Sequence, residues 1–394
     1  MELTINELES RRLNFYNKMD TISPDWDTVL ILGKVNQYYF TGTMQDAVLI
    51  LKKDRSFAYY VRQSFKRATD ESIIKNIYPM KSYRDIAEKE GQELGNVFLE
   101  TEIIPYAIIE RLKKYFNIKT LNPLDTIIRN VRSIKTPYEL YWMRQSGKQS
   151  YKLLTEIVPT LLKEGQTESE FYALIHQQMM KLGHQGISRY HGYQTELPVG
   201  QLGFGTNLLY PSNFDGPSGG LGINPAAPFE GNPQRKLKKG DIVLVDLGFG
   251  INGYHTDKTQ IYMFGAKPPS EVVKVHKTCM EIEQQVAEKL KPGAIPAQIY
   301  NEVIEKLSPE MSKNFMGYKE HKVKFIGHGI GLTVDELPVL ANGFDAPLFE
   351  NMTLAVEPKK GISDFGMIGV EDTFVVTPNG GECITIGPKE IIVV

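Results

Sequence analysis

The alternation of apolar and polar positions divides the chain into two parts. Up to about residue 125, short runs rich in β-branched and aromatic residues alternate with apolar positions at helical spacing. The runs "TVLILG", "YYFTGT", "AVLILKK" and "FAYYVR" predict strands, and "PYAIIERLKKYF" predicts a helix. This pattern is typical of an α/β domain. It holds no cluster of histidines and acids and no glycine-rich phosphate loop, so we expect a structural or substrate-shaping role.

Longer segments with apolar residues at helical spacing begin around residue 133. Thr136 suits an N-cap, Pro137 the first helical position and Glu139 the first turn, which predicts a long helix. A second helix, "ESEFYALIHQQMMKLG", is expected to end near Gly183, with His176 packed on its apolar-rich face. We place the domain boundary just before the first of these helices and predict domains over residues 1–130 and 131–394.

Residues 192–238 are rich in Gly, Pro and Asn and lack helical or strand periodicity. So long an irregular stretch is usually functional or disordered, and its aromatic residues favour an ordered loop that shapes a pocket. The rest of the chain alternates strand-like runs with the helical segments "SEVVKVHKTCMEIEQQVAEKL" and "PAQIYNEVIEKL". The second domain is therefore predicted to be α+β.

Composition narrows the class of protein. The 394 residues are 41% hydrophobic and 23% charged, with a net charge of −2, so nothing indicates a nucleic-acid partner or a basic membrane-binding face. The two cysteines, Cys279 and Cys383, are too few for a disulfide framework. With no apolar signal segment at the start and no run near the roughly 20 residues of a membrane span, we expect a soluble, cytoplasmic protein.

A predicted β-hairpin carries the first candidate metal ligands. "GDIVLVDLGFGINGYHTDKTQIYMF" places two strands around the turn pair Asn252–Gly253. A two-residue loop pairs Gly248 with Asp257, and a four-residue loop pairs Asp246 with Asp257. Both registers put the two aspartates on one face, where buried carboxylates repel unless a proton or a cation lies between them. The alternative is that Asp257 only stabilises a turn and Asp246 is exposed, but the apolar run around Asp246 favours burial.

Two glutamates and a histidine add to this pair. Glu357 ends "LAVE" and Glu371 lies within "IGVEDTFVV", both in apolar strand-like runs where an unpaired carboxylate is costly. His328, in "FIGHGIGL", follows an apolar run and lies between glycines. A lone histidine is usually structural, yet with four acids predicted to be buried we interpret it as a ligand.

The set predicts a centre with two divalent cations. Four carboxylates and one imidazole suit a hard to borderline ion such as Mn²⁺, Fe²⁺, Co²⁺ or Zn²⁺, with Mn²⁺ favoured. Two such ions about 3.5–4 Å apart can share a water, lower its pKa and clamp the intermediate of amide hydrolysis. The predicted ligands are Asp246, Asp257, His328, Glu357 and Glu371.

These motifs resemble the pita-bread metallohydrolases, which include methionine aminopeptidase, aminopeptidase P, prolidase and creatinase. "DLGFGINGYHTD", "GHGIGL", "AVEP" and "GVEDTFVVT" match in order and spacing, and residues 1 to 130 are similar to the creatinase-type N-terminal domain. The resemblance implies that Asp246 chelates one ion, that His328 and Glu357 hold the other, and that Asp257 and Glu371 bridge both. It further implies that Glu357 carries the proton beside a metal-bridged hydroxide, a pita-bread catalytic fold, and a homodimer.

The chain departs from that family in residues that contact substrate. Asp335 stands where family peptidases usually have a second histidine, and the region of Pro228 and Phe229 lacks another. Two family arginines are replaced by Gln260 and Gly369. An ionised Asp335 cannot donate a hydrogen bond to a carbonyl, but it could accept one from a cationic group or act as a base, and it could equally be a plain loop acid. His191 and His255 are candidate substitutes for the missing imidazoles, and we take His255 and Asp335 as candidate catalytic residues.

Three functions fit these residues. The first is a dinuclear metallopeptidase of the Xaa-Pro aminopeptidase or dipeptidase type that cuts short peptides near their amino terminus. The second is a non-peptidase enzyme on the same scaffold that acts on a small cationic or amide metabolite, as creatinase, ectoine-type hydrolases or a sulfonium-propionate lyase do. The third is an inactive binding module, which would be expected to lose metal ligands that this chain retains.

Overall fold

The fold was taken from a computed structural model, which describes residues 1–191 and 195–394. The chain divides into two compact units, residues 1–132 and 133–394. Among the described residues, no helix is both long and apolar enough to cross a bilayer.

The first unit is a mixed sheet with helices. Its sheet has the strand order β4-β3-β2-β1-β5-β6, in which β1 runs antiparallel to β2 and parallel to β5. Its strands are β1 (Thr28–Ile31), β2 (Ala47–Lys52), β3 (Phe57–Val61), β4 (Ile77–Pro79), β5 (Glu93–Leu99) and β6 (Asn117–Pro123). Its helices are α1 (Ile5–Ile22), α2 (Lys34–Thr41), α3 (Phe65–Glu71), α4 (Tyr83–Glu90), α5 (Tyr106–Leu112) and α6 (Asp125–Ser133).

One of the strand predictions for this unit is wrong. "YYFTGT" was expected to be a strand, but most of it belongs to helix α2. The helix ends because Gly42 adopts a left-handed conformation (φ 78°), and the Gly42 N–H donates to the Tyr38 carbonyl at 2.9 Å. Burial of Tyr39 and Phe40 against the unit's interior outweighs the strand preference of aromatic residues, because that preference depends on packing.

The second unit is built on two larger sheets and a set of helices. One sheet has the order β21-β11-β10-β9 and the other β15-β14-β16-β19-β20. Its helices are α7 (Pro137–Lys152), α8 (Val158–Leu161), α9 (Glu168–Lys181), α10 (Ser270–Lys289), α11 (Pro296–Lys306) and α12 (Pro309–Ser312). Its strands are β7 (Ser188–Arg189), β8 (Glu196–Leu197), β9 (Gly200–Phe204), β10 (Ile242–Ile251), β11 (Tyr254–Met263), β12 (Gly317–Tyr318), β13 (His321–Lys322), β14 (Phe325–Ile330), β15 (Val334–Ala341), β16 (Thr353–Val356), β17 (Lys359–Ile362), β18 (Gly366–Gly369), β19 (Asp372–Thr377), β20 (Gly380–Cys383) and β21 (Ile392–Val393).

Strand β10 is covered on both faces. Leu244 packs with α10 residues such as Val272, whereas Val243 and Val245 pack with the α9 residue Phe171. This explains why the run around Asp246 is apolar on every side, and it places Asp246 on the same face as Leu244, since side chains alternate along a strand.

The long irregular region of the sequence is partly regular. Residues 192–194 lie outside the described residues, while β8, β9 and a 3₁₀ turn over Gly205–Leu209 fall within the segment predicted to be a loop. From Tyr210 to Lys239 the chain forms bends and turns. Asn232 is buried there, and its backbone N–H donates to the Glu168 carboxylate at 3.0 Å, so this loop is held by α9.

Candidate metal centre

The β10–β11 hairpin fixes the two aspartates. Asn252 (φ 50°) and Gly253 (φ 88°) both adopt positive φ, as a two-residue type I′ turn requires, and Gly248 therefore pairs with Asp257. Asp246 pairs with Thr259, two positions further along, so both carboxylates lie on one face. Asp257 is buried, and the Asp246 side chain is 14% exposed.

The two glutamates lie between short strand pairs. Val356 pairs with Asp372 across β16 and β19, and Lys359 pairs with Gly369 across β17 and β18. Glu357 and Glu371 therefore occupy the gap between these ladders, where Pro358 cannot donate a ladder hydrogen bond. The apolar strand-like runs that carry the two glutamates thus form two short strand pairs.

His328 faces these acids from β14. Its Nε2 atom lies 3.6 Å from Glu357 Oε1 and 3.8 Å from Glu371 Oε1, and its Nδ1 lies 3.0 Å from the Gly329 carbonyl. Within the described residues, the group in which every member offers a ligand atom within 4.8 Å of the others is Asp257, His328 and Glu371. Two ligands that each lie about 2.1 Å from one ion are about 3–4 Å apart, so these separations suit a shared divalent cation.

A lysine lies among the acids on the other side of the centre. Lys359 Nζ donates to Asp246 Oδ2 at 2.9 Å, to Glu357 Oε2 at 2.9 Å and to Glu371 Oε2 at 2.6 Å. The side chain of Lys359 is 0% exposed. Three of the four predicted carboxylate ligands therefore already share a cation from the chain itself.

The pKa values follow from burial and from that ammonium. Burial, followed by the charge of Asp246, raises the pKa of Asp257 well above its ordinary value. Burial, followed by Asp246 and Asp257, does the same to the pKa of Glu371. Burial opposes the ionised form of Asp246, but the Lys359 charge outweighs it and lowers the pKa of Asp246. Asp257 and Glu371 thus remain short of positive charge.

The residues near His328 fit one bound cation. Oxygen Oδ1 of Asp257 is buried and has no hydrogen-bond partner among the described residues. A buried carboxylate oxygen without a partner is costly unless a cation or a proton compensates it. The donor set of two carboxylates and one imidazole suits a divalent ion of the type predicted from the sequence.

A small cavity lies over these groups, with a free volume of about 20 Å³, enough for about one water. Its walls include Asp335 and the five predicted ligands, together with Phe214 from the loop whose aromatic residues were expected to shape a pocket. Tyr190, Gln201 and Asp215 also line it and were not predicted from the sequence. Gln201 is buried, pairs with Asp246 across β9 and β10, and its Nε2 has no partner among the described residues. Burial raises the pKa of Asp335 to about 6.

The two histidines considered as substitutes for the missing imidazoles are not among the described residues of the cavity wall. His255 is buried, its Nδ1 lies 3.1 Å from the Gly331 carbonyl, and its Nε2 lies 3.0 Å from Gln185 Nε2. Both ring nitrogens are therefore used in packing, and burial lowers the pKa of His255 to about 4. Neither His255 nor His191 is among the described residues that line the cavity, whereas the neighbouring Tyr190 is. His176, expected to be packed, lies with its Nε2 3.0 Å from the Gly186 carbonyl.

The two positions at which family arginines are replaced, Gln260 and Gly369, have clear local roles. Gln260, where an arginine was expected, donates from its Nε2 to the Glu390 carbonyl at 2.9 Å. Gly369 lies against the backbone of Lys359, and a Cβ atom there would be 2.6 Å from Lys359 Cα. Lys359 itself was missed, although a lysine directly after "LAVEP" in an apolar region was a detectable signal.

Comparison with known proteins identifies the class. Residues 141–378 match metallopeptidase family M24, and residues 11–134 match the Creatinase/Prolidase N-terminal domain. The chain is 25% identical to the Xaa-Pro dipeptidase of Pyrococcus furiosus over 93% of its own length and 95% of that protein. The prolidase from Pyrococcus horikoshii OT3 superposes with a TM-score of 0.77 at 23% identity, covering 97% of this chain and 100% of that one. The X-Pro aminopeptidase from Thermotoga maritima superposes with a TM-score of 0.75 at 21% identity, covering 96% and 99%.

The chain belongs to metallopeptidase family M24, because the family match covers more than half of it. It is a hydrolase with the pita-bread fold, preceded by a creatinase-type N-terminal domain, and both of these predictions from the sequence are confirmed. Membership of this family also implies a divalent metal cofactor.

Proposed function

We propose that this chain is a metal-dependent dipeptidase or aminopeptidase that cleaves short peptides at an Xaa-Pro bond near the amino terminus. The observation that carries the proposal is the convergence of Asp257, His328 and Glu371 on one potential cation position beneath a cavity. Relatives that span nearly the whole chain are named Xaa-Pro dipeptidases, which supports the substrate class. Manganese as the native ion, a homodimer and a cytoplasmic location stay predictions from the sequence.

The chain's own groups can divide the work of amide hydrolysis. A divalent cation held by Asp257, His328 and Glu371 would supply Lewis-acid chemistry, activating water and polarising the scissile carbonyl. Glu357 lines the same cavity with its Oε1 turned towards His328, so it is placed to take a proton from attacking water and return it to the leaving nitrogen.

Neutral donors in the cavity wall can orient the substrate. The Gln201 amide, which lacks a partner among the described residues, can donate a hydrogen bond to a substrate carbonyl. Burial keeps the pKa of Tyr190 well above its ordinary value, so its hydroxyl also remains a donor. These two groups can supply hydrogen bonds that an ionised Asp335 cannot.

Turnover of dipeptides tests the proposal. The full-length protein, loaded with Mn²⁺, is expected to hydrolyse Ala-Pro and Gly-Pro and to cleave Ala-Ala poorly. Glu357→Gln should lower kcat by about 10²–10⁴-fold while circular dichroism stays unchanged, because the variant keeps the shape but loses the proton carrier, and its metal content is counted alongside. Glu350→Gln, an exposed position close by in sequence, serves as the matched control.

Two results would contradict this proposal. Full activity of Glu357→Gln would remove the assigned proton carrier. Metal binding without cleavage of any Xaa-Pro dipeptide would remove the peptidase function itself.

A second candidate function is favoured by the acids in the cavity wall. Asp335 and the exposed Asp215 both line the cavity, so it presents negative charge to a bound molecule beyond the predicted ligands. Such a wall suits a small metabolite with an amine, guanidinium or quaternary group. Binding of metal together with hydrolysis of a cationic amide, and not of dipeptides, would select this function.

A further inference from the structure

We propose that the ammonium of Lys359 takes the place of one of the two metal ions predicted for this centre, so that the active enzyme binds a single divalent cation at Asp257, His328 and Glu371. The inference deepens the proposed function and rests on its metal dependence. It concerns the number of ions and is independent of the peptide that is cleaved.

The first argument is the position of the ammonium. Lys359 Nζ lies 2.6–2.9 Å from oxygen atoms of Asp246, Glu357 and Glu371. An ion bound to the same three oxygen atoms would lie about 2.0–2.2 Å from each, and would therefore overlap the nitrogen. The two cations cannot share this point, and the donor geometry is already satisfied by the three hydrogen bonds of one ammonium.

The second argument is the division of oxygen atoms between two sides of the centre. Glu357 and Glu371 each turn Oε2 towards Lys359. They turn Oε1 towards His328 Nε2, at 3.6 and 3.8 Å. Each glutamate thus joins the ammonium to the imidazole side, as a carboxylate does when it bridges two cations.

The third argument is that the surrounding fold is shaped to the lysine. The Lys359 side chain is 0% exposed, so it has no open route to solvent. Gly369 is its partner across β17 and β18, and a Cβ atom at that position would lie 2.7 Å from Lys359 Cγ and 2.4 Å from the Pro358 carbonyl oxygen. Any larger residue at position 369 would displace the lysine or its backbone.

Charge is also consistent with one metal ion. One dication together with the ammonium leaves a net charge of −1 on the four carboxylates, whereas two dications would leave +1, so the position of the ammonium, and not the charge count, distinguishes the two cases. The position of the ammonium thus favours one external cation where the family resemblance implied two.

Metal stoichiometry and electron paramagnetic resonance test this inference on the wild-type full-length protein. The protein is stripped with a chelator, titrated with Mn²⁺, and its bound metal is counted by mass spectrometry. We expect one ion per chain and the six-line signal of an isolated Mn²⁺. Two ions per chain with an exchange-coupled signal would overturn the inference, as would a chain that binds none.

Two variants separate the role of Lys359 from a general effect on charge. Lys359→Met keeps the length of the side chain and removes its charge, and it is expected to raise the Mn²⁺ content from one to two ions per chain. Lys360→Met is the matched control, because the Lys360 ammonium contacts the Lys313 carbonyl and none of the four acids, and it should still bind one. A folded Lys359→Met protein that binds only one ion would also overturn the inference.

Failure here is distinguishable from failure of the proposed function. A protein that cleaves Xaa-Pro dipeptides with two bound ions would retain the function and lose the inference. A protein that binds one ion and cleaves no dipeptide would retain the inference and lose the substrate.

Discussion

Asp335 is the residue at which this centre differs most in chemistry from the expected peptidase. It is the second residue of β15 and has a left-handed backbone (φ 66°). Its Oδ1 lies 3.6 Å from His328 Nδ1, and its side chain is 31% exposed. The next residue, Glu336, turns away and pairs with Lys135 at 3.2 Å in the interior. Asp335 is therefore a wall of the cavity and not one of two equivalent loop acids.

Asp335→His is expected to increase cleavage of Xaa-Pro dipeptides. A neutral imidazole can donate a hydrogen bond to the developing oxyanion, and such a donor is worth about 10²–10³ in rate when fully aligned, so we expect at least about a tenfold gain in kcat/KM. Histidine tolerates the left-handed backbone better than most residues. Asp364→His, at an exposed turn, is the control, and an unchanged or lower kcat/KM in Asp335→His would favour the cationic-metabolite function.

Single residues show how far the sequence could be interpreted. The five candidate ligands were recognisable because each lies in an apolar run where its polarity is costly, and the structure groups all five around one cavity. Lys359 was not recognised because lysines are almost always exposed, and its contact with the acids depends on the pairing of β17 with β18. His255 was given a catalytic role that its use in packing does not support.

Among the elements, those with strong local signals were predicted well. The capping box of α7 is present, with the Glu139 N–H donating to the Thr136 hydroxyl at 3.3 Å. The hairpin turn at Asn252–Gly253 has the positive φ angles that its sequence demands. The helix over "YYFT" was missed because burial decided its conformation, and burial is not visible in a short window of sequence, although Gly42, which ends the helix, is.

Thr136→Ala should lower the free energy of unfolding by about 1 kcal/mol, since the variant loses the side-chain cap of α7. Urea titration followed by circular dichroism measures the change. Thr278→Ala, on an exposed part of α10, is the matched control and should change stability by less than about 0.5 kcal/mol. An effect of Thr136→Ala as small as that of the control would show that the cap contributes little to stability.

At the scale of the whole molecule, buried histidines tie stability to pH. His184 is buried, and its Nδ1 accepts from the Gly250 N–H at 3.0 Å. Burial, followed by the charge of His255, lowers the pKa of His184 to about 3. In the unfolded chain the same imidazole titrates near ~6.5. Between these values the unfolded state binds more protons, so stability falls as the pH is lowered from about 6.5.

His184→Asn is expected to weaken this dependence. Asparagine can keep an acceptor for the Gly250 N–H and does not titrate, so the variant should lose less stability than the wild type between pH 6.5 and 5. The difference in slope should rise from about 0.7 kcal/mol per unit of pH at pH 6.5 towards about 1.4 kcal/mol per unit at pH 5. Urea midpoints at pH 7, 6 and 5 measure it, and equal slopes for both proteins would contradict the assignment.

The internal ammonium of Lys359 has a consequence for how the chain is made in a cell. Because one internal ammonium contacts three of the four acids, the repulsion between them is reduced before any external ion binds. We therefore expect folding to depend less on metal supply than catalysis does. On this proposal, a chain made while its divalent ion is scarce would fold first and gain activity when the ion is supplied.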